Sequence, residues 1–299
     1  CFIGVLACGE FACGSYHFEG NGYRAYLQWK RTGCWYCGGK TCYCATLSIY
    51  ASVRMVGRLR ILAGPNGSGK TSVFGELREN FHWGVFVNAD EIERRLKEEG
   101  SLDCREYAVA EVDEKKFREA YSDYFYTFST QCAAGNIFVD NACVGVYDTA
   151  LVDSYFAAFM AAYIRERLLE AGISFSLETV MSHPNKVDFM ARAHRSGYRV
   201  YLYYVSTQSP EINVGRVHTR VQEGGHDVPE NKVRERYVRS LQNLYAAVKQ
   251  SDRAYLFDNS GKHFELLAEY DATDKSVQLY SETEWLRTYL LNMAETTRK

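Results

Sequence analysis

From Met55 onward, short apolar runs alternate with stretches whose apolar residues recur at helical spacing. This is the pattern of a mainly parallel sheet covered by helices. Arg58 to Ala63 (RLRILA) is the first predicted strand and Thr71 to Asn80 the first helix. Gly84 to Asn88 is a second strand that runs into a helix opened by Ala89-Asp90-Glu91 and continuing through Glu98. Charged and aromatic residues at helical spacing over 101–171 predict a helical insertion. Then follow a third strand at Ile173 to Leu177, a helix at Asn185 to Ser196, and a strongly β-prone fourth strand at Tyr198 to Val205. Helices at Pro210 to Gln222 and Asn231 to Gln250 lead to a fifth strand, Ala254 to Phe257, ending at Asp258-Asn259-Ser260. The tail beyond Lys262 reads as a strand pair and a final helix.

Residues 1–54 do not continue this pattern. Seven of the ten cysteines lie there, from Cys1 to Cys44, and the first methionine of the chain is Met55. The segment is expected to be upstream-translated or otherwise non-native sequence, with 55–299 as the folded domain. Two sharper readings compete with this. Cys34, Cys37, Cys42 and Cys44 offer four thiolates for zinc, although the loop between the pairs is very short. Val5-Leu6-Ala7-Cys8 resembles a lipoprotein processing site, but without the basic start and full apolar core that such a leader needs.

A net charge of -2 gives no global footprint for a polyanion, so neither nucleic acid nor an anionic membrane surface is expected as a partner. The longest mostly apolar stretch, Tyr155 to Ile164, is about half the roughly 20 residues that cross a bilayer and reads as a buried helix.

The chemistry concentrates at Gly64-Pro65-Asn66-Gly67-Ser68-Gly69-Lys70-Thr71, which satisfies G-x-x-x-x-G-K-[ST] between a predicted strand and a predicted helix. Glycines let successive backbone N–H groups turn inward around a phosphate, and the helix N-terminus adds partial positive charge. Lys70 is placed to reach β- and γ-phosphates and the Thr71 hydroxyl to ligate Mg²⁺. Asn185-Lys186-Val187-Asp188 matches the guanine-reading N-K-x-D element, but Ser182-His183-Pro184 separate it from the strand and it reads as a first helical turn. Asp140, after Ile137-Phe138-Val139, is a possible Walker B aspartate, ranked below Glu178 because it falls inside the insertion. Asp90, at the end of the second strand, projects into the crevice above the sheet, where a carboxylate can take the proton of an attacking hydroxyl. Its competing role is a helix N-cap.

These residues resemble the zeta toxin family of P-loop kinases, especially its chromosomally encoded members. The resemblance runs from about Arg58 to Ser260: the P-loop, then Val87-Asn88-Ala89-Asp90, then Ser174 to Thr179. It continues through Arg216 to Val221, Gly224-Gly225-His226-Asp227-Val228-Pro229, Arg236-Tyr237 and Phe257 to Ser260. It implies a three-layer α/β P-loop kinase that uses ATP and Mg²⁺, with UDP-N-acetylglucosamine as the family's best-known acceptor. By position Asp90 matches the catalytic base, Lys70 and Thr71 the phosphate and magnesium contacts, and Glu178, with Thr179 beside it, a substrate-side carboxylate. Arg216, Arg220 and Arg236 match the arginine-rich region, 216–239, that closes over the phosphates. The chain departs from the family at Glu235-Arg236, where paired arginines are usual, and in the length of the insertion.

Taken alone, the residues also support this reading. Arg216 and Arg220, at i and i+4, share a helix face, and Gly224-Gly225 offers a hinge for a lid. His226 reads as a loop-structuring hydrogen bonder. The expectation is a cytoplasmic kinase acting on a small hydroxyl-bearing acceptor, with an antitoxin protein as a possible partner. The alternative is a nucleotide-binding switch or partner-binding module that hydrolyses ATP slowly.

Overall fold

The computed structural model describes residues 57–79, 82–127, 130–225 and 227–297, together with the backbone of four strands within residues 1–55. The chain divides into two compact units, Cys1–Met55 and Val56–Lys299. In the first, β1 (Val5–Cys8), β2 (Tyr16–Gly20), β3 (Tyr23–Gly33) and β4 (Thr41–Tyr50) form an antiparallel sheet of order β1-β4-β3-β2. The sequence pattern had assigned no strand here. Yet only Asn21-Gly22, the strongest short hairpin dipeptide, separates the paired residues Gly20 and Tyr23. The cysteine side chains considered for zinc lie outside the described residues.

The second unit is built on a seven-stranded sheet of order β14-β13-β12-β11-β5-β10-β6. Its members are β5 (Arg58–Ala63), β6 (Val85–Val87), β10 (Phe175–Thr179), β11 (Arg199–Ser206), β12 (Arg253–Asp258), β13 (Glu265–Asp271) and β14 (Ser276–Leu279). The five strands from β6 to β12 are parallel; β13 and β14 add an antiparallel edge. Central β5 is buried at every position after Arg58, because helices cover both faces of a parallel sheet. Edge strand β14 is exposed throughout.

The helices are α1 (Lys70–Arg78), α2 (Ala89–Glu99), α3 (Glu114–Thr127), α4 (Ser154–Ala171), α5 (Asn185–Arg195), α6 (Pro210–Gln222), α7 (Glu230–Gln242) and α8 (Leu244–Lys249). A C-terminal helical stretch, with a π-helical segment at Arg287–Leu291, follows β14. Helix boundaries follow local chemistry. Asn88 caps α2 and Asp153 caps α4, each accepting backbone N–H bonds, and Gly100 and Gly172 end those helices in the left-handed region. The stretch expected as one helix over 231–250 is two, meeting at Asn243, whose Nδ2 donates to the Met181 carbonyl at 2.9 Å.

The segment 101–171 is mixed rather than wholly helical. Between α2 and α4 it forms a small antiparallel sheet of order β7-β9-β8: β7 (Ser101–Asp103), β8 (Ile137–Asp140) and β9 (Cys143–Val146). The aromatic residues that suggested helix throughout serve as tertiary packing for α3 and α4. Phe117 meets Phe159 and Tyr163 edge-on at 5.4 and 5.0 Å between ring centres, and Tyr121 meets Phe156 at 5.7 Å. The apolar run Tyr155 to Ile164 lies within buried α4, and among the described residues no helix is long and apolar enough to cross a membrane.

Candidate functional site

Strand order sets the position of the site. Strand β5 leads through the loop and α1 to β6 on one flank, while β10 leads back across it to β11 on the other. The crevice at the carboxyl ends of β5 and its neighbours is thus a topological switch point, where ligands of open α/β sheets bind. A cavity of about 420 Å³ occupies that place, and its walls include Asn66, Gly67, Gly69, Lys70, Thr71, Asp90, Glu178, Thr179, Arg216 and Arg220.

The loop conformation requires its glycines. Gly64, Gly67 and Gly69 have φ of 144°, 74° and 86°, and a Cβ on each would fall 2.0 Å from the Val205 carbonyl oxygen, 2.4 Å from that of Asn213 and 1.9 Å from Asn259 Nδ2. Three neighbours hold the loop in place. Asn213 Nδ2 donates to the Asn66 carbonyl at 2.6 Å, Asn259 Nδ2 to the Ser68 carbonyl at 2.9 Å, and Gly64 N–H to the Thr179 carbonyl at 3.2 Å. Asn213 is itself fixed by the Thr207 hydroxyl.

Lys70 is buried, donating from Nζ to the Gly64 and Pro65 carbonyls at 2.9 and 3.0 Å and lying 3.7 Å from Glu178 Oε1. Burial pushes its ammonium below the ordinary lysine value; Glu178 and Asp90 oppose that shift and Arg220 adds to it. These four charges therefore sit within electrostatic reach of one another. Asn88 Nδ2 approaches Glu178 Oε2 at 3.5 Å, tying the end of β6 to the end of β10.

Asn88 also settles the cap. Its Oδ1 accepts from Asp90 N–H at 2.8 Å and Glu91 N–H at 3.4 Å. Asp90 is not the N-cap of α2, and its exposed carboxylate stands in the first helical turn at the cavity wall.

Several polar atoms here are buried without a hydrogen-bond partner: Asn66 Oδ1, Ser68 Oγ and Arg216 Nη1. Arg216 Nη1 lies 3.8 Å from the space that a Cβ on Gly69 would fill, while its Nη2 is 3.5 Å from the Gly261 carbonyl. An unsatisfied guanidinium N–H above a glycine cradle at a helix N-terminus fits a phosphate group. The Thr71 hydroxyl beside it fits one protein ligand of a phosphate-bound Mg²⁺; among the described residues no cluster of three acidic, histidine or cysteine side chains forms a separate metal site.

Not every sequence candidate reaches the cavity. Gly64 and Ser68 stand behind the loop, Gly64 offering its carbonyl to Lys70 and Ser68 its carbonyl to Asn259. Arg236 sits on α7, beyond the Gly224-Gly225 bend, and does not line the cavity wall; its neighbour Tyr237 turns inward and donates to the Thr207 carbonyl at 2.6 Å. Asp140 is exposed at the turn of the β8–β9 hairpin, accepting from Asn141 Nδ2 at 2.9 Å, and does not line the cavity. His226 lies outside the described residues. Asn185-Lys186-Val187-Asp188 opens α5, as its sequence context implied, but Lys186 lines the cavity. The residues missed by sequence reasoning are Asn88, Asn213, Arg165 and Lys186. A polar residue on an otherwise apolar helix face was the signal available at Asn213, which shares that face with Val217.

The sheet order, the phosphate-binding loop and the acidic residues at the ends of β6 and β10 define a P-loop kinase fold. Residues 139–270 match the sequence model of the zeta toxin family. This part of the chain is thus similar to the zeta toxin family; it carries Glu178, Arg216, Arg220 and Arg236, and the phosphate loop lies upstream of it. An uncharacterised protein of Haemophilus influenzae is 35% identical over 65 residues, 22% of this chain and 46% of that protein. Among solved structures, the native AvrRxo1-ORF1:-ORF2 complex aligns with TM-score 0.50 and 14% identity over 81% of this chain and 66% of its own. The PezAT chromosomal toxin-antitoxin system of Streptococcus pneumoniae aligns with TM-score 0.41 and 12% identity over 81% and 85%. The chain therefore spans about half the length of the Haemophilus protein and just under two thirds of the AvrRxo1 chain.

Proposed function

We propose that the protein transfers the γ-phosphate of ATP to a hydroxyl of a small molecule. The observation that carries this reading is the convergence of Lys70, Asp90, Glu178, Arg216 and Arg220 on one cavity over the phosphate loop. On this reading the loop N–H groups and Lys70 hold the β- and γ-phosphates, and Arg216 and Arg220 spread the charge of the transferring group. Thr71 would be a protein ligand for Mg²⁺, which when bound would neutralise charge on the phosphate oxygens. Asp90 accepts the proton of the acceptor hydroxyl as that oxygen attacks phosphorus and the bond to the β-phosphate oxygen breaks. Glu178 keeps Lys70 aligned and faces the acceptor beside Thr179.

Similarity to the zeta toxin family over residues 139–270 favours UDP-N-acetylglucosamine as the acceptor to try first and a protein antidote as the partner to seek. The deciding experiment incubates the protein with γ-labelled ATP and a panel of nucleotide sugars and follows label into small-molecule products. A kinase yields a labelled sugar nucleotide. Release of labelled inorganic phosphate alone, at the same slow rate with every sugar, is the result of a nucleotide switch.

A further inference from the structure

We propose that Trp285 is a positioning residue for the phosphate loop: through Asp258 and Asn259 it ties nucleotide binding to the docking of the C-terminal helical stretch. Its effect on nucleotide affinity rests on the kinase reading above, whereas its effect on the order of the loop does not.

Asp258 ends β12, and Trp285 lies 27 positions further on, past the antiparallel edge strands and beyond residues 139–270, the part similar to the zeta toxin family. The indole of Trp285 is buried, 6.1 Å from the ring centre of Tyr204 on β11, and its Nε1 donates to Asp258 Oδ2 at 2.9 Å. The other carboxylate oxygen, Oδ1, accepts from the Ser260 N–H at 2.9 Å. Among the described residues no lysine, arginine or histidine lies within ion-pair distance of this buried carboxylate, so hydrogen bonds from neutral donors offset its desolvation. Both donors are N–H groups. A carboxylate can accept from two at once, one on each oxygen, whereas the amide of asparagine has a single acceptor oxygen.

Asn259 sits inside that bracket. Its N–H donates to the Ser206 carbonyl at 2.8 Å and its Nδ2 to the Ser68 carbonyl at 2.9 Å. Ser260 Oγ accepts from the Gln208 N–H at 2.8 Å, which closes the turn against the end of β11. The Ser68 carbonyl and the Gly69 N–H belong to one peptide plane and point in opposite directions across it. An Asn259 held on that carbonyl therefore aims the Gly69 N–H away from itself, and Gly69 stands in the cavity wall. The direction of a phosphate-loop donor is thus set by a chain of contacts that ends at Trp285. Packing explains the burial of the indole; the bond from Nε1 links that burial to the loop.

The test compares W285F, N259A and the double variant, each in the full chain. Phenylalanine keeps an aromatic ring in the core and removes the Nε1 donor. Titration with Mg²⁺ and the non-hydrolysable analogue AMP-PNP should show affinity weakened roughly tenfold in W285F, the size of one hydrogen bond. In the N259A background W285F should cost no more than about twofold further, because the path from Trp285 to the loop runs through Asn259. Hydrogen exchange without nucleotide should rise roughly tenfold over 64–71 and 258–261 in W285F, while β5 stays protected. A W285F protein that is less stable yet binds AMP-PNP as the wild type does overturns the proposal, and so do losses in W285F and N259A that multiply independently. If W285F does not fold, D258N, with one acceptor oxygen for two donors, carries the same cycle with the same expected losses. Should the wild type fail to bind AMP-PNP, the kinase reading fails and exchange alone decides. Faster exchange over 64–71 in the variant then sustains the positioning role, and unchanged exchange overturns it.

Discussion

Asp90→Asn separates the chemistry of the site from its architecture. The change is isosteric, and the backbone N–H bonds that start α2 go to Asn88 Oδ1 at 2.8 and 3.4 Å, so the cap survives the substitution. The loss to the fold is the favourable position of one exposed carboxylate in a first helical turn, about 0.3–1 kcal/mol. Denaturant unfolding should therefore register only a small shift. The loss to catalysis is larger, because an amide cannot accept the acceptor proton: roughly 10²–10⁴ in transfer rate, the usual contribution of a positioned base. One secondary effect follows from the same geometry. Asp90 is among the charges that hold the Lys70 proton against burial, so its removal lowers the Lys70 pKa further and nucleotide binding becomes more sensitive to alkaline pH. The assay is single-turnover transfer of labelled γ-phosphate to an acceptor established with the wild type, alongside AMP-PNP titration at pH 7. Transfer at the wild-type rate would refute the assignment of Asp90 and move the base to Glu178.

Lys70→Ala should abolish ATP turnover, since it removes the buried ammonium at the loop; undiminished turnover in the purified variant counts against nucleotide chemistry here. Asn213→Ala leaves the Asn66 carbonyl without its side-chain donor in the partly buried loop, and should cost about 1–3 kcal/mol by urea unfolding. A chain beginning at Met55 should bind AMP-PNP as the full chain does, because 55–299 is proposed to be the kinase domain; a large loss of affinity speaks against that. Lys186 gives a pH signature. Its folded value is about 8 against 10.5 ordinarily, so its penalty on folding is complete below about pH 8 and is relieved as pH rises toward 10.5. Wild type should thus gain stability relative to K186Q between pH 7 and pH 10 in parallel urea titrations, and a flat difference would remove the burial of that charge.

The parallel sheet was legible because its strands are short apolar runs between strong punctuation. Arg58 to Ala63 is bounded by the glycine loop, and the β-branched and aromatic run of β11 ends before Ser209-Pro210. The phosphate loop was equally legible, since the positive φ of Gly64, Gly67 and Gly69 is a requirement local to the motif. The sheet at 101–146 was not, because its three strands span only three or four residues each and carry too few positions to show a period of two. Long-range polar contacts were illegible for another reason. Asn213 meets Asn66 across 147 positions and Asn259 meets Ser68 across 191, and no periodicity records such a meeting. Arg165 was hidden within the charged end of a helix otherwise chosen for its apolar face.

The single helix α6 performs two tasks at once: Asn213 grips the loop from its first turn, and Arg216, one turn later, presents a guanidinium above Gly69. Any displacement of the Arg216 backbone relative to the phosphate loop must break the 2.6 Å bond from Asn213 or bend α6 within a turn. The base of the cation is consequently positioned during folding, and the backbone share of its ordering entropy is spent before any nucleotide arrives. A rate enhancement supplied by Arg216 should then be nearly independent of solvent viscosity, which slows domain movements but leaves a fixed charge where it was.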